Sequence, residues 1–250
     1  MKGIRLCGSG AAVPRLRVSN DDLSARVDTS DEWIRQRTGI TQRHIVAEGE
    51  KTSDLAFNAA KQALERANLQ GSDIDLIVIA TSTPDDTFPS TATRVQYMLG
   101  AQQAIAFDVQ AVCAGFVYAL DIADAMLRGG RGQRALVIGA ESFSKILDWE
   151  DRSTCVLFGD GAGAVILEAS QKAKGYGILA SKLYSDGAYR DILYVDGGPS
   201  STGKVGHLRM EGNKVFRHAV DKLSKVMDEV LEIADMQFKD VDWLGPHQAN

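Results

Sequence analysis

The sequence predicts an α/β protein built from two related halves. Three observations lead there. Short, nearly continuous apolar runs such as residues 74–80 and 134–140 alternate with segments of helical periodicity, the pattern of strands buried on both faces and helices covering them. Residues 64–75 (Leu-Glu-Arg-Ala-Asn-Leu-Gln-Gly-Ser-Asp-Ile-Asp) and 231–242 (Leu-Glu-Ile-Ala-Asp-Met-Gln-Phe-Lys-Asp-Val-Asp) are identical or closely similar at nine of twelve positions. That similarity holds at a constant offset of 167 and marks an internal duplication. Finally, the strand-length run Ala104-Ile-Ala-Phe-Asp-Val passes through Gln110-Ala-Val-Cys113-Ala-Gly115 into Phe116, Val117, Leu120, Ala123 and Leu127 at helical spacing. Cys113 therefore sits where a buried strand turns into a helix. Helix-start N–H groups and the macrodipole favour a thiolate there. A buried structural cysteine is the competing reading, since free cysteines are commonly buried.

Composition sets the outer bounds. The 250 residues are 44% apolar and 24% charged, enough for a large core. A net charge of −5 argues against bulk nucleic-acid binding. Three cysteines, at 7, 113 and 155, form neither a CxxC pair nor an even disulfide set, which points to a reducing compartment. The N-terminus has no signal-peptide core and no run reaches membrane-spanning length. A cytoplasmic protein is expected. The histidines and cysteines have no metal-ligand spacing.

In chain order, residues 4–12 read as a first strand. A helix follows at Trp33, with Thr29 and Glu32 as a capping box and Gly39 as its stop. Trp33 and Arg37 are four apart and share one face. An indole beside a guanidinium can hold an aromatic base and phosphate, or the pair can be an ordinary surface contact. Residues 53–68 form an amphipathic helix, 74–80 a strand, 81–89 a loop and 90–99 a helix. After the Cys113 unit, 134–140 is a strand, and strands at 154–158 and 163–168 bracket Gly159-Asp-Gly-Ala-Gly163. A strand follows these glycines, so they predict a tight strand-to-strand connection rather than a dinucleotide loop. Residues 176–183 read as strand, 196–206 as loop and 213–235 as a long helix. A strand starting at Val241 runs into Gly245-Pro246-His247. That puts His247 at a strand end, where open α/β sheets place ligands. The expected halves are 1–170 and 171–250. In the duplication the counterpart of Cys113 falls beyond Asn250, so the second half is expected to lack its C-terminal part.

These motifs together resemble one family. Asp28-Thr-Ser-Asp-Glu-Trp33-Ile, Cys113-Ala-Gly-Phe, Phe158-Gly-Asp-Gly-Ala-Gly163, Gly212-Asn213-Lys-Val-Phe216 and Pro246-His247-Gln-Ala-Asn250 resemble the β-ketoacyl-ACP synthase III family along the whole chain. The resemblance implies a thiolase-like fold with duplicated halves in αβαβα layers, usually as a homodimer. It implies that Cys113 attacks acetyl-CoA or another short acyl-CoA. Malonyl-ACP then loses CO₂ and condenses with the acyl group, while His247 stabilises the enolate. An asparagine and a glycine-rich stretch that complete the family's site lie further along than Asn250. By the same resemblance Thr29, Trp33, Arg37 and Arg152 contact CoA, and Gly212, Asn213, Phe216, Ala249 and Asn250 line the pantetheine tunnel. Phe88, Leu157 and Phe158 line the acyl pocket, with Phe88 closing it across the dimer. No cofactor is implied beyond the CoA thioester substrate.

An acidic carrier protein needs a basic face. Lys214, Arg217 and Lys225 share a helix stripe with Asp221, and Lys214 and Arg217 are the docking candidates. A solvated helix face is the competing reading. The alternatives for function are a related ketide synthase with another acyl-CoA starter, or a catalytically impaired fragment that binds CoA.

Overall fold

A computed structural model describes residues 3–171 and 175–247. Contacts divide the chain into two compact units. One comprises Met1–Val18, Arg43–Lys145 and Gly159–Ile178; the other comprises Ser19–Gln42, Ile146–Phe158 and Leu179–Asn250.

The first unit is organised on a five-stranded sheet. Its strands are β1 (Gly3–Ala12), β4 (Leu76–Ala80), β5 (Ile105–Val109), β6 (Arg134–Ser142) and β7 (Asp160–Ser170), in the order β1-β7-β6-β4-β5. Strand β4 is parallel to β5 and β6, whereas β7 is antiparallel to β6 and β1. The sheet is thus mixed: the chain between β6 and β7, residues 143–159, contains no crossover helix, and β7 returns antiparallel to β6. A short pair, β2 (Leu16–Ser19) with β3 (Gln42–Ile45), was not anticipated.

Three helices cover the sheet: α3 (Thr52–Ala67), α4 (Thr91–Leu99) and α5 (Gly115–Arg128). Alternation along the strands assigns their faces. Ile77, Ile79, Leu136 and Ile138 pack in one cluster with the alanines of α3 and with Ala92 and Val95 of α4. Leu76, Val78, Ala80, Ala135 and Val137 pack in the other with Ala119, Ala123 and Leu127 of α5. Helix α3 approaches β1 so closely that a Cβ on Gly10 would lie 2.1 Å from the Ala59 carbonyl oxygen. Only glycine fits there.

The glycine-rich stretch departs from expectation. Gly161 and Gly163 lie inside β7, which starts at Asp160, so they form no connection between strands. Residues 154–158 are turn or irregular, not strand. The Asp151 carboxylate accepts from Ser153 N–H at 2.9 Å and from Thr154 Oγ1–H at 2.8 Å, and this local bonding outcompetes an extended run.

In the second unit, α1 (Asn20–Ser24) precedes α2 (Asp31–Thr38). The N-cap of α2 is Ser30, whose hydroxyl accepts from Trp33 N–H at 3.1 Å, not Thr29. Gly39 closes α2 in the left-handed region, as expected. The expected loop at 196–206 is mostly hairpin: β8 (Leu193–Gly198) pairs antiparallel with β9 (Lys204–Met210). Helix α6 (Gly212–Ile233) follows. Residues 241–247 contain no strand, so His247 does not stand at a strand end. The expected strand at 176–183 is irregular. Within the first unit, Ile178 N–H donates to the Ile4 carbonyl as an isolated backbone bond at 3.0 Å.

Candidate active site

Strand β5 delivers the chain to Cys113 through a strained residue. Val112 has φ +48°, an uncommon and costly conformation for a β-branched side chain, worth about 1–3 kcal/mol. Cys113 then occupies a single 3₁₀ turn, Val112–Ala114, which runs directly into α5. A Cβ on Gly115 would come within 3.2 Å of the Ala80 Cβ, so the helix start rests on the end of β4. Cys113 is a free, exposed cysteine. This rules out the buried structural reading.

Its electrostatics reverse one expectation. The Cys113 thiol is pushed up from the ordinary cysteine value, not down. Desolvation by the surrounding protein is the main cause; the backbone N–H of Cys113 opposes it, and the charge of Glu141 adds to it. The helix-start stabilisation read from sequence is present but is outweighed.

Sequence reasoning missed Glu141, although a signal was visible: a carboxylate directly continuing the apolar run of β6. Ser82 N–H donates to Glu141 Oε1 at 2.8 Å, and Thr83 Oγ1–H donates to Oε2 at 2.6 Å. Burial nevertheless pushes this carboxyl up to about 7, with those hydrogen bonds pulling the other way. Asp160, inside the glycine motif, is structural. It accepts from Val46 N–H at 2.7 Å and from Ser144 N–H and Oγ–H at 2.8 and 2.5 Å. Asp108 of β5 accepts from Thr91 and Ala92 N–H at 2.7 and 2.8 Å, fixing the start of α4.

The second unit gathers the residues expected to hold a nucleotide. The guanidinium carbons of Arg37 and Arg152 each lie 4.9 Å from the Trp33 ring centroid. Arg152 donates to the Asp28 carbonyl at 2.5 Å, which ties residues 146–158 to the turn before α2. Thr29 Oγ1 is buried and has no hydrogen-bond partner among the described residues. Two cations on one indole suit an aromatic base carrying phosphate.

The remaining candidates are more dispersed. Gly212, Asn213 and exposed Phe216 form the first turns of α6. Leu157 and Phe158 are half-buried. Phe88 is 83% exposed and does not close a pocket within its own unit. Lys214 pairs with Glu211 at 2.6 Å and Lys225 with Asp221 at 2.8 Å. Arg217 has no ion pair among the described residues. His247 is exposed. Ala249 and Asn250 lie outside the described residues. Among the described residues no group of three or more His, Cys, Asp or Glu could hold a metal ion, and no helix is long and apolar enough to cross a membrane.

Comparison with known proteins places this geometry. The sequence profile for 3-oxoacyl-[acyl-carrier-protein (ACP)] synthase III matches residues 107–187, which include Cys113, Glu141 and Asp160. A curated relative from Erythrobacter litoralis, β-ketoacyl-[acyl-carrier-protein] synthase III, is 62% identical over 244 residues, covering 97% of this chain and 76% of the relative. The chain belongs to the 3-oxoacyl-ACP synthase III family. A solved synthase III from Aquifex aeolicus superposes with a TM-score of 0.93 at 46% identity, over 99% of this chain and 77% of that one. The priming β-ketosynthase of the R1128 polyketide pathway superposes at 0.91 with 34% identity, over 100% and 75%. The fold of the synthase III family is thiolase-like, and its members are condensing acyltransferases.

Proposed function

We propose that this member of the synthase III family starts type II fatty-acid synthesis by condensing a short acyl group, acetyl first among them, with malonyl-ACP. The observation that carries the reading is Cys113: an exposed free thiol at a helix start, behind strained Val112, in a chain 62% identical to a named synthase III. The Cys113 sulfur attacks the thioester carbonyl, its S–C bond replaces the one to CoA, and CoA leaves as its thiol. The backbone N–H at the helix start supports the oxyanion. Malonyl-ACP then loses CO₂, its carbanion displaces the acyl group from sulfur, and His247 hydrogen-bonds the developing enolate. The substrate thioester makes a resident cofactor unnecessary.

Thr29, Trp33, Arg37 and Arg152 take the CoA nucleotide; Gly212, Asn213, Phe216, Ala249 and Asn250 take the pantetheine; Leu157, Phe158 and a second copy's Phe88 take the acyl group. The edge position of β5 and the exposed Phe88 and Tyr97 side chains support a homodimer. Lys214 and Arg217 are the carrier-protein contacts, with Arg217 favoured because Lys214 is already paired with Glu211. The halves 1–170 and 171–250 are the duplicated units, and the protein works in the cytoplasm. Synthase III is preferred to a ketide synthase because the relatives at about 60% identity carry that name, whereas the polyketide neighbour stands at 34%.

The test is intact mass before and after incubation with acetyl-CoA, followed by peptide mapping. One acetyl group on the Cys113 peptide is expected; a folded protein that takes none, or takes it elsewhere, overturns the assignment. Trp33→Ala is expected to raise KM for acetyl-CoA about tenfold or more, since losing a stacking platform costs about 1–3 kcal/mol per base. Its kcat should change much less, because the indole binds ground state and transition state alike. An unchanged KM would remove Trp33 from the CoA site.

A further inference from the structure

The proposed chemistry uses no carboxylate, yet the structure keeps one under the nucleophile's helix. Glu141 follows Gly139 by two residues on β6, so both side-chain positions face the same side of the sheet. That side carries α5: a Cβ on Gly139 would lie 3.4 Å from the Phe116 ring, and Ala80, the register partner of Gly139, supports Gly115. Glu141 therefore points toward the first turn of α5, and its charge acts on the Cys113 thiol.

It is also held in place. Ser82 and Thr83 bond its two carboxylate oxygens. Thr83 Oγ1 in turn accepts from Ser142 N–H at 2.8 Å, and Thr52 Oγ1–H donates to the Thr83 carbonyl at 2.6 Å. Three segments meet in this network, and among the described residues none brings a cation to Glu141. The other ionisable groups on the packed elements are committed elsewhere. Asp85 accepts from Ser53 N–H and pairs with Arg94, Asp108 caps α4, and Asp160 is bonded to Val46 and Ser144. Tyr118, Asp121 and Asp124 lie further along α5.

We propose that Glu141 is a positioning residue for Cys113: pinned by Ser82 and Thr83, it fixes the support beneath the helix start and presents its carboxylate toward the first turn of α5. The proposal rests on Cys113 being the nucleophile. When Glu141 is protonated the thiolate forms more easily; when Glu141 is charged it forms less easily. Because burial raises the Glu141 carboxyl to about 7, the switch falls within the working range of a neutral cell.

The experiment is the pH dependence of iodoacetamide alkylation at Cys113, read on its own tryptic peptide so that Cys7 and Cys155 do not contribute. The thiolate sulfur displaces iodide, so the rate reports ionisation whether or not acyl transfer occurs; acetylation by acetyl-CoA tests the nucleophile separately. In wild type the logarithm of the rate is expected to rise with unit slope below pH 7, flatten near 7 and steepen again. Glu141→Gln keeps an oxygen that can accept from Ser82 and Thr83 but carries no charge. It is expected to lose the flattening and lower the midpoint by about half to one pH unit. Alkylation at pH 8 then rises only about two- to fourfold, because a less basic thiolate is a weaker nucleophile. Superimposable profiles for wild type and Glu141→Gln would overturn the proposal, even if the variant melted earlier. If Glu141→Gln fails to fold, the wild-type profile decides: an uninterrupted unit slope up to one plateau would overturn it equally.

Discussion

Cys113→Ala is expected to lower acetyl transfer and condensation by at least about a thousandfold, since residues acting as one catalytic unit lose that much when the nucleophile goes. The same change should barely move the melting temperature. Cys113 is exposed and forms no disulfide, and surface substitutions of that kind stay within about 0.5 kcal/mol. Release of CoA thiol from acetyl-CoA, followed alongside thermal unfolding, separates the two effects. Substantial CoA release by a folded Cys113→Ala protein would mean that another group attacks the thioester. Peptide mapping would then turn to Cys7 and Cys155, although Cys155 is buried and Cys7 only partly accessible. Val112 sharpens the expectation. Its left-handed backbone is retained at an energetic cost, and such strain persists where the surrounding structure over-determines it.

The largest loss of stability is expected from Asp160→Ala, about 3–5 kcal/mol. This change would strand the buried N–H groups of Val46 and Ser144 together with the Ser144 hydroxyl. Each unsatisfied buried donor costs about 1–3 kcal/mol. Asp160→Asn keeps one oxygen and should cost roughly half as much. Urea unfolding of the three proteins measures this directly. A loss below about 1 kcal/mol in Asp160→Ala would show that water replaces the carboxylate and that the motif is not a structural tie. The two predictions are complementary, since one removes activity and spares the fold while the other is read on the stability of the fold itself.

Local signals explain what was readable in the chain. Helices α3, α4, α5 and α6 follow their apolar spacing, and β4 and β6 follow their apolar runs. Cys113 was legible because a strand, a turn and a helix are all encoded within 25 residues around it. The Trp33–Arg37 contact was legible because four-residue spacing on a helix guarantees proximity. The misplaced elements fail for equally local reasons. The β8–β9 hairpin was hidden by a register irregularity between Val195 and Gly197, where Gly197 has φ +82°, so period-two alternation is broken. Residues 176–183 carry the apolar content of a strand, but Gly177 also takes a left-handed turn, at φ +85°.

By itself, then, the sequence determined the α/β class, the family, the setting of Cys113 between a strand and a helix, and the Trp33–Arg37 contact. All of these rest on spacing within one element or on a motif whose residues are contiguous. Only the tertiary structure decided the rest. It brought Arg152 onto Trp33 from more than a hundred positions away, made Gly161 and Gly163 part of a strand, and gave Asp160 its donors from the residue after β3 and the turn after β6. It also reversed the expected direction for the Cys113 thiol. That last result shows the reason most plainly. A helix start is a local feature and stabilises a thiolate wherever it occurs, but desolvation and the charge of Glu141 are sums over neighbours that the chain collects only when the sheet forms.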